Sequence, residues 1–527
     1  MRAPRGGVVV SRYDVIVVGA GAGGAPLAAR LSEDADRSVL LLDEGQAPRA
    51  RHAFPARLLD ARRVPGADPG DPAVRPLAVH LTPDHPYTVP RGRFLGGSTT
   101  VNGGYFVRAR HADFDRWAAA GNPAWAYDRV LPFLRGLETD LDLGASDLHG
   151  GSGPVPVRRT ALTHPAAAAF EAAAAELGHP REPDKNDQAR PGFGPLPSNS
   201  VDGIRHNTAL SYLLPVLDRP NLTVSGLTRV CRVTVSRGRA TGVVVDRGGR
   251  REVLPAGEVV LCAGSFATPQ LLHLSGIGPR EELRRLGLPV VRHLPAVGAR
   301  FSDHPQVVLA WTPRRELEPP GGSWLGGCLH LPSCDGSPGG DLEILQSLTP
   351  LDALAGPVPD GDRRLAFLIS AQAPRRTGRF RLRDGDPEGA PLIDYHYLAA
   401  DDDRRRLREG VRAAAAVTAT GAFRALAEET GDPAPGVLGD DRSLDAWIRG
   451  RLGTSHHACG TVPMGPPDDP GAAVDQYGRV HGVAGLRVAD TSILPTAPLR
   501  GPAATAVLVG EVIADAMRRP GPGTAAG

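Results

Sequence analysis

The sequence predicts an α/β protein, α+β overall, with one domain built on a parallel βαβ core and a second built on a mostly antiparallel sheet. Near the N-terminus a β-branched run, Val15 to Val18, leads into a glycine-rich turn and an Ala- and Leu-rich helical stretch. A second apolar run, Val39 to Leu42, follows, and this order is typical of a βαβ unit. Between Gln306 and Tyr397, several runs alternate apolar and polar residues, as antiparallel strands with one covered face do.

The turn of the βαβ unit reads Gly19-x-Gly21-x-x-Gly24, and Asp43 stands at the tip of the second strand. Gly19 makes the tight turn, Gly21 lets the backbone approach a pyrophosphate, and Gly24 lets the helix sit close on the sheet. The helix N-terminus offers N–H groups and a positive dipole end to phosphates. Asp43 is placed to accept hydrogen bonds from a ribose diol. The unit therefore predicts a Rossmann-like dinucleotide-binding domain rather than an accidental glycine-rich turn, and it leaves FAD and NAD open.

Charge and cysteine content exclude several classes of protein. The net charge is +2, from 60 basic and 58 acidic residues, without a one-sided basic block, so nothing points to nucleic acid. An odd, scattered set of cysteines fits a reducing compartment, and no metal-ligand spacing is present. No apolar run is long enough to span a bilayer, and the N-terminus lacks a signal-peptide core. We expect a cytoplasmic protein, free or peripheral to the membrane, with no transmembrane segment and no metal. The cysteines are Cys231, Cys262, Cys328, Cys334 and Cys459.

The other elements are predicted in chain order. Residues 46–90 are rich in Pro and Arg and are predicted as loop with short helices. Residues 163–178 combine strong helix propensity with Pro at the start and Gly past the end. Residues 222–245 alternate and predict sheet, 258–262 predict a strand, and a helix is predicted from Leu271, after Pro269. Acids at the start of DDDRRRLREGVRAAAAV favour a helix N-terminus, and Arg404 to Arg406 are predicted to form a solvated helix face. Residues 485–518 return to strand, loop and helix.

Two glycine-containing segments resemble a known family. The first is Gly92-Arg93-x-Leu95-Gly96-Gly97-Ser98-Thr99-x-Val101-Asn102, and the second is GSFATPQLLHLSGIG at 264–278. Both resemble signature segments of the glucose–methanol–choline (GMC) oxidoreductases, which are FAD enzymes. The resemblance extends from Tyr13 to about Met517 and is weakest between Gln306 and Gly450. It implies oxidation of the CH–OH group of an alcohol by hydride transfer to flavin N5.

The resemblance also implies which residues hold FAD. Gly97, Ser98, Asn102 and Gly103 would lie against the flavin and pyrophosphate, where a glycine-rich loop lets backbone N–H groups come close. In some relatives the residue before this Asn is a histidine joined covalently to flavin. Here it is Val101, so FAD is predicted to bind non-covalently.

The resemblance assigns four further residues. Val230 matches a valine whose backbone meets the adenine, and plain strand core is an equal alternative. Asp490, in GLRVADTSILP, is assigned to the cofactor. The stretch VGARFSDHP resembles a family turn, and Asp303 and His304 within it are predicted to be structural.

The catalytic candidate is His457, in SHHACGTVPMG. In the family the histidine three residues before Gly-Thr is the general acid/base, and that position is His457. An unperturbed pKa near 6.5 suits the exchange of a proton at working pH. Without the resemblance, a His pair in a loop is more often structural or exposed, and a metal site from His456, His457 and Cys459 lacks a further ligand.

Most relatives have a second catalytic His or Asn in the C-terminal loop. Counting back from Glu511 places Gly501 at that position, next to Arg500. Either one histidine suffices, or Arg500 or His456 takes over the electrostatic role. Arg500 could stabilise an alkoxide or bind an anionic substrate group, and a salt bridge at the domain edge is the alternative.

Within the family, several stretches look most like the mycofactocin-associated branch, among them VNGGYFVRARHADFDRWA, GIRHNTALSYLLP and the Arg-Gly-Pro loop at 500–502. The predicted donor is reduced mycofactocin or another alcohol, and the predicted electron acceptor is oxygen, a quinone or a respiratory carrier. A choline-dehydrogenase-like enzyme or alcohol oxidase, an NAD enzyme and an inactive flavin-binding protein are the alternatives. Residues 11–160, 196–305 and 455–520 are predicted to form the FAD domain, and residues 161–195 and 306–454 the substrate domain.

Overall fold

The computed structural model describes residues 12–336, 338–356, 363–375, 377–428 and 431–519 of the 527-residue chain. The strands are β1 Tyr13–Val18, β2 Val39–Leu42, β3 Val74–Thr82, β4 His85–Gly92, β5 Glu138–Asp140, β6 Val155–Arg159, β7 Phe193–Pro195, β8 Pro197–Ser198, β9 Ser200–Val201, β10 Ile204–Arg205, β11 Leu222–Ser225, β12 Arg229–Ser236, β13 Arg239–Arg247, β14 Arg250–Leu261, β15 Ile277–Gly278, β16 Arg292–His293, β17 Pro305–Trp311, β18 Leu325–Leu331, β19 Leu342–Ser347, β20 Leu365–Ala371, β21 Arg379–Arg381, β22 Leu392–Asp394, β23 Gly453–Thr454 and β24 Leu486–Val488. The α-helices are α1 Gly24–Leu31, α2 Ala56–Leu59, α3 His111–Ala119, α4 Tyr127–Gly136, α5 Pro165–Glu176, α6 Gly264–Leu274, α7 Arg280–Arg285, α8 Leu351–Ala355, α9 Asp401–Ala419, α10 Gly421–Arg424, α11 Pro435–Gly439, α12 Asp441–Arg449 and α13 Ala503–Arg518.

A seven-stranded sheet forms the dinucleotide-binding half, in the order β11-β2-β1-β14-β13-β12, with β24 also paired to β14. Strands β11, β2, β1, β14 and β24 pair in parallel, whereas β12 and β13 extend β14 in antiparallel fashion. The four residues of β2 are all buried, as expected for a parallel strand covered on both faces. Helices α1 and α13 pack against each other beside this sheet. The predicted βαβ unit and Rossmann-like domain are therefore confirmed.

The second half is built on an antiparallel six-stranded sheet, in the order β23-β17-β20-β19-β18-β7. Helix α9 lies against β19 and β20, and α5 against β18. These elements share a hydrophobic core that is separate from the core of the first sheet. The predicted antiparallel sheet is confirmed. Among the described helices, none has both the length and the apolar composition needed to cross a membrane.

One prediction from the Pro-rich region is wrong. Residues 74–90, predicted as loop with short helices, belong to the hairpin β3–β4, which joins β22 and β21 in a four-stranded sheet. The prolines obscure the strand pattern, but Pro86 and Pro90 lie in β4, the edge strand, where a missing backbone donor is tolerated. Val79, Leu81 and Val89 of this hairpin pack into the core of the second half. The predicted domain division, which assigned them to the FAD domain, stays a prediction.

Two local predictions are also corrected. Helix α6 begins at Gly264, not at Leu271, and continues through Pro269. Pro269 has no N–H for the carbonyl of Ser265, and the Thr461 hydroxyl donates to that carbonyl instead, at 2.6 Å. In α9, Arg406 is not solvated: it is 4% exposed and its guanidinium donates to the carbonyl of Ala373. The sequence shows the helix but not which of its arginines meets a neighbouring loop.

Candidate active site

Two glycine-rich turns pass each other at the carboxyl end of β1. Gly19 has φ of +100°, and a Cβ at Gly24 would lie 1.9 Å from the carbonyl oxygen of Gly19, so both positions require glycine. A Cβ at Gly97 would lie 2.7 Å from Cα of Gly21. In contrast, a Cβ at Gly21 would meet only Cα of Gly97, at 3.8 Å. The two turns therefore leave an open, backbone-lined cradle in front of the N-terminus of α1.

Asp43 closes the far side of this turn. Its Oδ2 accepts a hydrogen bond from the backbone N–H of Ala20 at 2.8 Å, and its Oδ1 accepts one from Gly45 at 2.8 Å. Burial raises the pKa of Asp43 to about 6, against the lowering effect of these two bonds. Each carboxylate oxygen has a second lone pair, so the group can hold the turn and still accept from a ribose hydroxyl. The predicted ribose contact stays a prediction.

The other predicted cofactor residues lie around the same cradle or in the sheet behind it. Ser98 is exposed, and its Oγ accepts from the N–H of Gly92 at 3.1 Å. Asn102 is half-buried, and its Oδ1 accepts from the N–H of Gly104 at 3.1 Å. The carbonyl of Gly103 accepts from the Trp324 indole at 3.0 Å. Val230 is 8% exposed in β12, a position compatible with both of its interpretations.

Asp490 connects the C-terminal loop to helix α6. Its Oδ2 accepts from the N–H of Gly264 at 2.9 Å and from the Thr268 hydroxyl at 2.6 Å, and its Oδ1 accepts from the N–H of Ser492 at 2.8 Å. The carboxylate is buried, and burial raises its pKa. Its contacts in the structure are thus to the protein, and its assignment to the cofactor stays a prediction.

The segments that contain His304 and His457 run antiparallel to each other. Ser302 and Cys459 exchange two backbone hydrogen bonds of 2.9 Å, and the N–H of Ser455 donates to the carbonyl of His304 at 3.0 Å. This pairing places the two imidazoles together, with Nδ1 of His304 2.9 Å from Nδ1 of His457. Asp303 fixes the backbone, because its Oδ1 accepts from the N–H groups of both His304 and His457, each at 2.7 Å.

The histidine pair is neutral at working pH. Burial, followed by the neighbouring His304, His456 and Arg91, lowers the pKa of His457 well below its usual 6.5. Burial lowers the pKa of His304 to about 4. One of the two Nδ1 atoms must therefore donate its hydrogen to the other. Nε2 of His304 is buried without a hydrogen-bond partner among the described residues. In the tautomer in which His457 donates from Nδ1, the lone pair of its Nε2 is free to accept a proton.

Gly501 faces this free nitrogen. A Cβ at Gly501 would lie 3.4 Å from both Nε2 and Cε1 of His457, and 4.0 Å from Cδ1 of Tyr105. The position reached by counting back from Glu511 is therefore next to the imidazole, and it has no side chain. Any substrate atom that approaches Nε2 of His457 has room here.

The positions of Arg500 and His456 are not those expected of a simple replacement for the missing second catalytic residue. Arg500 is fully buried, and its terminal nitrogens donate to the carbonyls of Gly339, Gly340 and Leu499 at 2.6–2.9 Å. Among the described residues, no carboxylate lies within 4 Å of its guanidinium, so the structure does not support the alternative of a salt bridge at the domain edge. The His456 ring stacks on Tyr87, with ring centroids 6.3 Å apart, and its backbone is left-handed with φ of +65°. A catalytic role for Arg500 stays a prediction.

Two buried sets of His and acidic side chains have the residue types of metal ligands. In one set, His149 contacts Glu138 and Asp140, and Arg108 and Arg159 pair with the same carboxylates. Burial lowers the pKa of His149, but its three carboxylate hydrogen bonds outweigh burial and raise the pKa to about 10. The ring is thus held as a cation among these carboxylates. The other set is Cys328, His330 and Glu343, which lies with the cations Lys185 and Arg500.

Comparison with known proteins decides the family. The two parts of a GMC oxidoreductase family model match residues 13–306 and 374–510. The chain belongs to the GMC oxidoreductase family. As a member, it is an FAD-dependent oxidoreductase that acts on the CH–OH group of alcohol-type donors, as the signature segments indicated.

The relatives extend over nearly the whole chain. An uncharacterized GMC-type oxidoreductase in the thcA 5′ region of Rhodococcus erythropolis is 41% identical over 506 residues, which are 94% of this chain and 97% of that protein. The oxygen-dependent choline dehydrogenase of Rhizobium etli is 34% identical over 540 residues, 95% of each chain. Among solved structures, pyridoxine 4-oxidase from Mesorbium loti has a TM-score of 0.87 and 28% identity, covering 96% of this chain and 99% of that one.

The residues of the cradle fit FAD. Gly21 leaves its backbone accessible, Ser98 is exposed as a small donor, and the N-terminus of α1 supplies the positive dipole end that a pyrophosphate requires. The cradle and the His457 site are connected through residues 97–105, because the ring of Tyr105 reaches the Gly501 position.

Sequence reasoning missed two residues of this site. His304 was predicted to be structural, yet it contacts the catalytic candidate directly. The signal was the Asp-His-Pro triplet at the start of β17, but only the pairing of β17 with β23 reveals its partner. Tyr105 carried no signal beyond its place in the glycine-rich segment.

Proposed function

We propose that this protein oxidises an alcohol with His457 as the general base, and that its donor is reduced mycofactocin or a small alcohol. The observation that supports this most directly is the His304–His457 pair, in which Nε2 of His457 lies beside Gly501. We assign the shared hydrogen to Nδ1 of His457, which leaves its Nε2 as a lone pair. The lowered pKa of His457 keeps that lone pair free at neutral pH.

In the proposed mechanism, Nε2 of His457 takes the proton of the substrate hydroxyl. The chemistry that FAD supplies when bound is acceptance of the hydride from the carbinol carbon. As His457 becomes a cation, the hydrogen bond from its Nδ1 to His304 becomes charge-assisted and therefore stronger. An interaction that strengthens as the proton moves accelerates the reaction, because it stabilises the transition state more than the ground state.

Asp303 and Arg91 hold the base in place. Asp303 binds the backbone of His457, and Arg91 donates to the carbonyl of His456 at 2.8 Å. Both contacts are to the peptide unit between His456 and His457, so the backbone that leads into the imidazole is fixed. No side chain occupies the Gly501 position, so His457 acts without the usual second residue and the alkoxide is stabilised by other groups.

The link to mycofactocin rests on the stretches of sequence that look like that branch, among them residues 101–118 and 500–502. A second candidate is oxidation of a choline-like alcohol, which the 34% identity to oxygen-dependent choline dehydrogenases favours. An inactive flavin-binding protein is the alternative of another class, suggested by the glycine at position 501.

Anaerobic reduction of the bound flavin separates these candidates. The purified protein would be mixed in turn with reduced mycofactocin, with choline and with uncharged alcohols, and the loss of flavin absorbance recorded. We expect bleaching by reduced mycofactocin or an uncharged alcohol. Fastest bleaching by choline would favour the second candidate, and a flavin that no donor reduces would contradict catalysis. Re-oxidation by oxygen or by a quinone would then identify the electron acceptor.

A further inference from the structure

Next to His457 lies a group of buried polar side chains, which we call the Tyr105 cluster: Tyr105, Glu343, Ser370, Gln372 and Arg500. The ring of Tyr105 begins beside the Gly501 position, 4.0 Å from where a Cβ would stand, and packs against the apolar group that contains Trp324 and Cys328. The charges of Glu343 and Arg500 are close enough to affect the pKa of both Tyr105 and His304. The cluster therefore adjoins the catalytic imidazole pair.

Several polar atoms of the cluster lack a hydrogen-bond partner. Within the described part of the chain, Oη of Tyr105, Oε1 of Gln372 and Nε of Arg500 are buried and unpaired. Oε1 of Glu343 has a contact of 3.5 Å with the Ser370 hydroxyl, at the limit for a hydrogen bond. Buried polar groups in proteins are nearly always paired, with protein, water or ligand. These atoms are therefore available to pair with a water molecule or with a polar ligand.

The cluster holds one group of each charge, so its own charges balance. Glu343 contacts His330 at 3.0 Å, and the more distant Arg500 also favours the ionised carboxylate of Glu343. A charged substrate group would upset this balance at a cost that is high in a buried site. A hydroxyl group instead both donates and accepts, and the unpaired atoms include donors and acceptors. Burial raises the pKa of Tyr105 well above 10, so its hydroxyl keeps its hydrogen and can donate.

We propose that the Tyr105 cluster is a recognition subsite for a second hydroxyl group on the substrate, so that the enzyme prefers neutral diols and polyols to mono-alcohols and to cationic alcohols. This inference rests on the proposed alcohol oxidation at His457. The hydroxyl that reacts lies at Nε2 of His457. The second hydroxyl accepts from Tyr105 and donates to Gln372 or Glu343.

The test compares matched donors by anaerobic flavin bleaching of the holoenzyme. Ethylene glycol is compared with ethanol, glycerol with propanol, and both polyols with choline. A site built to hydrogen-bond a substrate hydroxyl disfavours the analogue that lacks it. We expect kcat/KM to be at least about tenfold higher for each polyol than for its mono-alcohol, mostly through KM. Equal values for polyol and mono-alcohol, or a preference for choline, would overturn the inference.

Variants assign the preference to the cluster. Tyr105→Phe removes only the hydroxyl, and we expect it to reduce the polyol-to-mono-alcohol ratio about tenfold, with Gln372→Leu acting in the same direction. Tyr127→Phe is the matched control, because it removes another buried tyrosine hydroxyl, in α4, and should leave the ratio unchanged. A Tyr105→Phe enzyme with the wild-type ratio would overturn the assignment. Bleaching by mono-alcohols without a polyol preference would reject only the subsite, whereas no bleaching by any alcohol would reject both the subsite and the activity.

Discussion

The contact between His304 and His457 makes a quantitative prediction. His304→Ala removes the acceptor for the Nδ1 hydrogen of His457, a bond of 2.9 Å in the structure. Because His457 is a cation after it takes the proton, the bond belongs to the class that is worth about 1.5–3 kcal/mol. One factor of ten in rate corresponds to about 1.36 kcal/mol, so the loss should be about 10- to 100-fold. The measured quantity is the single-turnover rate of anaerobic flavin bleaching at saturating donor.

Two variants make this test specific. In His304→Asn, the side-chain oxygen can accept from His457 as Nδ1 does, so much of the rate should return. His273→Ala removes another buried imidazole, whose Nε2 lies 3.2 Å from the carbonyl oxygen of Val297, and should bleach at the wild-type rate. If His304→Ala retains its flavin and bleaches as fast as the wild type, His304 does not support the base and the tautomer argument is refuted.

Three other outcomes are expected. Acid precipitation should release all the yellow colour into the supernatant, because Val101 stands where covalently linked relatives have histidine, and colour left in the pellet would contradict non-covalent binding. Asp43→Ala should purify partly without flavin, since it removes bonds of about 1.5–3 kcal/mol each to a charged acceptor, and a full flavin content after extensive dialysis would reject Asp43 as the ribose ligand. The base must be neutral to accept a proton, and the pKa of His457 lies below 6.5. We therefore expect kcat/KM to be constant above pH 6.5 and to fall only in more acid solution. A fall in kcat/KM centred above pH 6.5 would argue against His457 as the base.

The first half of the fold could be predicted because its signals are local. The positive φ of Gly19 and the close approach of Gly24 to the Gly19 carbonyl act within a few residues, and the apolar runs of β1 and β2 reflect burial on both faces. The hairpin β3–β4 was missed for the opposite reason. It is stabilised by pairing with β22, about three hundred residues away, and its prolines hide the alternation that would have indicated strands.

In the site, too, residues within local motifs could be predicted, whereas residues placed by long-range pairing could not. His457 could be identified because a short motif surrounds it, and Gly501 because a count along one helix reaches it. His304 could not be assigned, since its role depends on the antiparallel pairing of segments 302–304 and 455–459, which no local pattern encodes. Arg406 was predicted to be solvated because a run of three arginines on a helix usually is, whereas the loop at Ala373 covers it.

The most direct test of the account is the rate at which His457→Ala is reduced by its best donor. Proton transfer by a positioned side chain is typically worth about 10²- to 10⁴-fold. We expect a decrease of that size in the single-turnover bleaching rate with the flavin still bound, and a much smaller decrease for His456→Ala, whose ring stacks on Tyr87. Arg500→Ala is measured alongside, because a loss as large as that of His457→Ala would show that Arg500 replaces the missing second residue. A His457→Ala enzyme that bleaches at the wild-type rate would mean that the proton leaves by another route.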